Sequence, residues 1–296
     1  MKQNMRLRGV VLAVLVFTAG AVLLPAQGSG FIVDPNANSG FTYTKDASGK
    51  GIIILGYVGP PVNLLQIPNY IDSLPVTELA NNAFCRMDEL VEIRVPNSVV
   101  RIGTGCFQQN LKTTKLRTVV LSPNIKRIEA DTFRNCRLLM NVDIPAGVTS
   151  IGERAFNNCN SLPRLNLPEG ITRIENAAFS GCSNFKEITF PKSVTSIGEE
   201  AFFSCTKVTS ITVPSTITKI EAKAFARCVS VTTITIPDSV TSIGDEAFSD
   251  YPALTTINVN IRPIQFGENV FYNCPRLSTA VRKKIEDCGY SWKRKS

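Results

Sequence analysis

Val231-Thr-Thr-Ile-Thr-Ile-Pro-Asp-Ser-Val-Thr-Ser-Ile-Gly-Asp-Glu-Ala-Phe248 is one copy of a phrase that this chain repeats. Its last residue belongs to the series Phe84, Phe107, Phe133, Phe156, Phe179, Phe202, Phe225, Phe248 and Phe271. Every step is 23 residues except Phe107 to Phe133, which is 26. A fixed period of this size marks a solenoid, in which no coil buries its apolar side alone and stacked neighbours complete one core. The 296 residues therefore form one continuous array rather than the two ordinary domains their length allows.

The unit reads L-x-x-I-x-I-P-x-x-V-x-x-I-G-x-x-A-F-x-x-C-x-x. Its L-x-x-I-x-I part alternates like a half-buried strand. Eight such strands are expected, from Leu90/Ile93/Val95 to Leu254/Ile257/Val259, and they include Leu162/Leu165/Leu167 and Phe185/Ile188/Phe190. Pro96, Pro145, Pro168, Pro191, Pro214 and Pro237 lack an N–H and end the strand. A second apolar pair, such as Val194/Ile197, precedes Ala-Phe. The Phe side is thicker than a strand, so the coils should splay there and leave the strand sheet concave.

Working outward, Phe41-Thr-Tyr-Thr and Gly51-Ile-Ile-Ile-Leu flank a turn at Asp46-Ala-Ser-Gly49, and residues 41–66 read as a hairpin cap. Residues 67–276 are the solenoid. Residues 277–296 are a helical cap and basic tail, with Ser278 as N-cap and Gly289 past the helix end. Residues 29–40, rich in Gly, Asn, Ser and Pro, read as a flexible leader. Residues 1–28 read as a secretion signal, with basic Lys2, Arg6 and Arg8, the apolar run Gly9 to Leu24, and small residues at Ala26-Gln-Gly28. Sixteen apolar residues fall short of the roughly 20 that span a bilayer. No stable membrane span is expected in the mature chain.

The formal charge is +8, and loss of Lys2, Arg6 and Arg8 leaves +5. Much of it lies at Arg276, Arg282, Lys283, Lys284, Lys293, Arg294 and Lys295, a solvated basic end. Arg127, Arg173 and Lys219 recur on every second coil, with Ser150, Ser196 and Ser242 between them. This pattern relieves like-charge repulsion between neighbouring coils. It is also compatible with a basic comb for an acidic ligand.

Six of nine cysteines, Cys136, Cys159, Cys182, Cys205, Cys228 and Cys274, sit three residues after the ladder Phe. An odd count, a row of identical neighbours and splayed coils argue for buried free thiols over disulfides. A Cys274–Cys288 bridge remains the alternative. Coil two carries Cys106 in place of Ala and three extra residues around Gln108 to Lys115. Coil eight carries Tyr251 in place of Cys and Asn260 in place of Pro. Such breaks are places for a private contact.

The chain has no histidine, which excludes Ser-His-Asp, Cys-His and H-E-x-x-H chemistry. Glycine-rich phosphate loops are missing as well. Glu199-Glu200 and Asp245-Glu246 recur in turns and read as solvated residues. The chain is expected to be no enzyme, with no cofactor, no metal and no nucleic-acid partner.

The phrase L-x-x-I-x-I-P-x-x-V-x-x-I-G-x-x-A-F-x-x-C resembles the BspA-like class of bacterial leucine-rich repeats. Ile67-Pro-Asn-Tyr-Ile-Asp-Ser-Leu-Pro-Val-Thr-Glu-Leu and the final helix with Cys288-Gly-Tyr290 are also similar to that family. The resemblance implies a β-rich leucine-rich repeat solenoid, a right-handed superhelix of 23-residue coils with a parallel concave sheet. It implies a secreted or surface-attached protein of a host-associated microbe, and links to adhesion to host matrix proteins and other cells. It names no ligand.

A binding surface is the remaining function class. Side chains between the buried strand residues must point outward. Glu92, Arg94, Asn141, Asp143, Arg164, Asn166, Glu187, Thr189, Thr212 and Thr235 are the candidate partner-binding residues, with a protein as the expected partner of a monomer. The Thr-rich half is equally explained by the fit of Thr to a flat strand array. Two rivals stand beside adhesion: an envelope protein without a host ligand, and a carbohydrate-binding module.

Overall fold

An isoleucine or valine between two outward polar residues makes a three-residue strand, and the 23-residue repeat places one such strand per coil. In the computed structural model, which describes residues 40–292 apart from 86, 110–114 and 165, these strands pair in parallel. Leu64–Gln66, Glu92–Arg94, Thr118–Val120 and Asn141–Val142 form one sheet. Ser210–Thr212, Thr233–Thr235 and Thr256–Asn258 form another, with Ile211, Ile234 and Ile257 in register. The secretion signal, the leader up to residue 39, the insertion 110–114 and the tail 293–296 lie outside the described residues.

Six of the eight expected strands are present. Neither the segment from Phe185 to Phe190 nor the described residues of Leu162 to Leu167 form a strand; Leu162 and Phe185 are buried, whereas Leu167, Ile188 and Phe190 are half-buried. Aromatic rings at 185 and 190 replace the aliphatic side chains of the other coils.

A second ladder was not expected from the pattern. The V-x-x-I segment also pairs in parallel. Arg127–Ile128, Ser150–Ile151, Arg173–Ile174 and Ser196–Ile197 form one sheet, and Lys219–Ile220, Ser242–Ile243 and Gln265–Phe266 another. Gly152, Gly198 and Gly244 follow this ladder on alternate coils. A Cβ at Gly152 would lie 2.6 Å from Ala130 N, so glycine allows the coil to sit tight against its predecessor.

The Phe side corrects the expectation of splayed coils. There the backbone runs through tight turns in which alternate N–H groups have different targets. In the Phe156 coil, Ala155, Asn157 and Cys159 donate within the turn, to Gly152, Arg154 and Phe156 at 3.2, 3.0 and 3.1 Å. Arg154, Phe156 and Asn158 donate to the next coil, to Asn176, Ala178 and Ser180 at 2.9, 2.8 and 2.8 Å. The same bonds recur from Asn82 to Tyr272. In the Phe156 coil all six N–H groups from Arg154 to Cys159 are used, as a buried backbone requires.

This geometry uses left-handed backbone two residues before each Phe and, from Phe133 onward, two residues after it as well. Arg154 (φ 53°), Ala177 (53°), Glu200 (55°) and Lys223 (52°) all adopt it before their Phe. Each such residue costs about 1–2 kcal/mol. Coil-to-coil hydrogen bonds worth about 1 kcal/mol each offset it.

The rings stack inside this turn ladder. Centroids are 4.9 Å (Phe133–Phe156) to 6.0 Å (Phe84–Phe107) apart. The core they share with the ladder isoleucines, valines and leucines is continuous from Ile52 to Tyr290.

Both ends are closed. Phe41–Lys45 and Ile52–Tyr57 form the antiparallel hairpin, and Ile52–Tyr57 pairs in parallel with Leu74–Leu79. The helix Thr279–Asp287 is capped by Ser278, whose side chain accepts from Val281 N. Arg282 ties it down, donating to Cys274 O and Leu277 O at 3.1 and 3.2 Å beneath the Trp292 ring.

Phe179→Ala removes a fully buried ring that stacks on Phe156 and Phe202. The expected loss is about 3–5 kcal/mol. Chemical denaturation would show a single destabilised transition; an unchanged midpoint would contradict this packing.

Candidate interaction surface

The strand pleat decides which side chains are available to a partner. Asn141, Asp143, Arg164, Asn166, Glu187, Thr189 and Thr212 are exposed on the first-ladder side of the coils. Glu92 and Arg94 are half-buried and form an ion pair at 2.6 Å along one strand. Thr235 is half-buried and accepts from Asn258 Nδ2 at 3.2 Å. The ladder brings Glu92/Arg94 and Asn141 onto one sheet, and Thr212/Thr235 onto the other. Arg164, Asn166, Glu187 and Thr189 lie between the two, outside any strand.

The basic comb lies on the second ladder, where the outward residues of adjacent coils are in register. Each cation already has a partner on its own coil. Arg127 meets Glu129 at 3.9 Å, Arg173 meets Glu175 at 2.9 Å and Lys219 meets Glu221 at 2.8 Å. From Arg127 to Gly244, coils with Arg-x-Glu or Lys-x-Glu alternate with coils bearing Ser-x-Gly, so charges and glycines share one rhythm there.

The cysteine row has a specific task. Cys136 Sγ donates to Phe107 O at 3.2 Å, Cys159 to Phe133 O at 3.2 Å, and Cys182 to Phe156 O at 3.3 Å. Cys205, Cys228 and Cys274 repeat the contact with Phe179, Phe202 and Phe248. Each such thiol donates one coil back. All nine cysteines are free, Cys274 and Cys288 included. At Tyr251 the phenol hydroxyl reaches Phe225 O and does what the thiol does elsewhere. This break in the pattern is fully buried, so it serves the core rather than a partner. Burial pushes the Cys274 thiol up to about 12 and raises those of Cys106, Cys136, Cys159, Cys182 and Cys205. Thiols held in this way are poor nucleophiles. Among the described residues no group of His, Cys, Asp and Glu could hold a metal ion.

Several hollows open on the coils. One of about 400 Å³ lies between Glu187–Phe190 and Ser210, Thr212 and Pro214. A larger one, of about 700 Å³, lies against the last two coils, lined by Arg227, Glu246, Asp250, Glu268, Tyr272, Tyr290 and Trp292. Sequence reading passed over the second. Its only signal was the cluster of aromatic residues at the C-terminal end.

A family model for the BspA type leucine rich repeat region matches residues 65–186, 111–230 and 173–290, in six copies. The chain belongs to the BspA-type leucine-rich repeat family. A leucine rich cell surface protein from Faecalibacterium prausnitzii A2-165 shares 24% identity with this BspA-type chain, over 85% of it and 82% of the other, with a TM-score of 0.52. The pneumococcal vaccine antigen PcpA shares 17%, over 81% of each chain, with a TM-score of 0.50. A T. pallidum leucine rich repeat protein shares 26%, over 85% of this chain and 94% of its own, with a TM-score of 0.48. No curated protein matches. These likenesses concern the fold.

Two outcomes follow from the thiols of this BspA-type array. A thiol reagent should find at most one fast-reacting group on the native protein, half-buried Cys85, and all nine after denaturation without reductant. A denatured count of seven or fewer would reveal a disulfide. The second outcome concerns alkaline pH. Unfolded thiols ionise near about 8.5, whereas the buried ones stay protonated in the folded state. The folded chain then binds more protons, and stability falls as pH rises above about 8.5, by at most ~1.4 kcal/mol per pH unit per thiol. Melting temperatures between pH 7 and 10 would test this; a flat profile above pH 9 would contradict it.

Proposed function

We propose that the chain is a secreted or surface-associated interaction protein that binds a protein partner through the outward side of its first strand ladder. Adhesion to a host matrix protein or to another cell is the role this reading assigns. The observation that carries it is the contrast between two faces of one array. Arg127, Arg173 and Lys219 of the second ladder are held by their own glutamates, whereas on the first-ladder side, apart from the Glu92–Arg94 pair, Asp143, Arg164 and Glu187 are exposed and enter no ion pair among the described residues.

Membership of the BspA-type family and the cell-surface description of the F. prausnitzii neighbour support a surface role. The signal-like residues 1–28 support export. No helix among the described residues is long and apolar enough to cross a membrane. Nine coils stacked about 4.8 Å apart span roughly 38 Å, enough for one side of a standard protein interface of about 800 Å². Charges on such a face set specificity and association rate more than affinity.

The test compares two multiple variants. Arg94→Ala with Arg164→Ala should weaken binding of the full chain to immobilised matrix proteins about tenfold or more, with the melting temperature lowered only slightly, since Arg164 is exposed and a half-buried surface pair such as Arg94–Glu92 contributes at most about 1 kcal/mol to folding. Arg127→Ala with Arg173→Ala and Lys219→Ala should bind nearly as wild type. The reverse outcome would move the site to the second ladder and make the ligand acidic. Loss of binding in neither variant would remove both faces from consideration.

A further inference from the structure

Adjacent coils are joined by up to three rows of backbone hydrogen bonds: the first ladder, the second ladder and the turn ladder. At one junction two of the rows are open. Between the Phe202 and Phe225 coils, Ser210–Thr212 is the edge strand of its sheet. At the same junction Ser196–Ile197 ends one sheet and Lys219–Ile220 begins another. One coil later both ladders are shut, with Val213 N donating to Thr235 O at 3.0 Å and Gly244 N to Ile220 O at 2.8 Å. At every other junction from the Phe84 coil to the Phe271 coil at least one strand ladder is closed.

The turn ladder runs through unbroken. Glu200, Phe202 and Ser204 donate to Ala222, Ala224 and Ala226 at 3.1, 2.8 and 2.9 Å. Cys228 Sγ reaches Phe202 O at 3.3 Å. The Phe202 and Phe225 rings stack at 5.6 Å and 7°. Near the open ladders, one side-chain bond crosses, from Thr216 Oγ1 to Val194 O.

Phe190 explains the opening. Other coils carry Val, Leu or Ile at this phase, and a ring there overpacks the space. It lies edge-on to both Phe202 and Phe225, at 5.4 and 6.4 Å, and so wedges the two coils. The 400 Å³ hollow lies in the gap it holds.

We propose that this junction is a hinge. The coils up to Phe202 and those from Phe225 onward turn as two blocks about the turn ladder, and both strand ladders open and shut together over Phe190. Rows joined on one edge only, with a cavity on the other, have this freedom, whereas a junction closed on both sides does not.

The amides of Phe190, Thr209, Thr218 and Glu221 occupy the phases that bond across closed junctions, and they lack a backbone partner here. Amide hydrogen exchange on the full chain without any partner tests the hinge. The four amides should show partial protection, common to the first-ladder pair and the second-ladder pair, and about tenfold or more below that of Val213, Thr232, Thr241 and Gly244. Phe190→Ile should raise protection of both pairs together, while Phe202 and Ser204 stay protected throughout. Free-chain exchange rates would mean a fixed gap, and rates matching the closed junctions would mean a shut one. Unrelated rates for the two pairs would mean separate fraying. Each of these overturns the hinge. Should Phe190→Ile fail to fold, Phe190→Leu repeats the test, and the wild-type rates already separate the cases. Because no partner is present, the result is independent of the proposed binding role.

Discussion

The carbonyl oxygen of each ladder phenylalanine carries much of the load in this fold. In the Phe133, Phe156, Phe179 and Phe202 coils it accepts twice, once from the cysteine N–H three residues on and once from the thiol of the next coil. The first bond closes the turn and the second stitches coils. Around it the turn N–H groups divide between their own coil and the next, and the rings stack behind. A short parallel ladder of two or three residues is a weak fastening, since such strands offer few hydrogen bonds each. The turn side runs unbroken past every gap in the strand ladders, so the strands can lapse without the array coming apart.

The period, the strand phase, both caps and the burial of the Phe and Cys rows were legible in the chain, because repetition at one phase leaves no other arrangement of apolar residues. Three features were not. The second ladder hid because Val-x-x-Ile gives only two residues to pair, too few to show alternation. The turn ladder hid because it uses non-glycine residues in left-handed backbone; Asn135, Asn158, Gly181, Asp250 and Asn273 two residues past their Phe were the available hint. The role of cysteine hid because a thiol at a buried position reads as a small apolar group, and only Tyr251 at the same phase marks the place as one that wants a donor. On the candidate surface, the outward phase of Asn141, Asp143, Thr212 and their neighbours followed from the pleat. The lapse of the ladder around Glu187 did not, because Phe190 fits the apolar phase of the repeat as well as Val or Leu does.

A division of labour results. Residues that repeat hold the turn side, and residues that vary lie on the first-ladder side. Exposed Asp143, Arg164 and Glu187 can change without disturbing the core, which suits a surface that must fit a partner.

The alternation of Arg-x-Glu coils with Ser-x-Gly coils constrains how such a gene can change length. Losing or gaining a single 23-residue module would set Arg127-like and Arg173-like side chains directly beside each other, or remove the glycine that lets one coil nest against its predecessor. Within the stretch from Arg127 to Gly244, losing or gaining two modules would restore the neighbour relations of the second ladder. Arrays built on this plan should therefore vary in steps of 46 residues, and the inheritable unit is the pair of coils rather than the coil that the structure repeats.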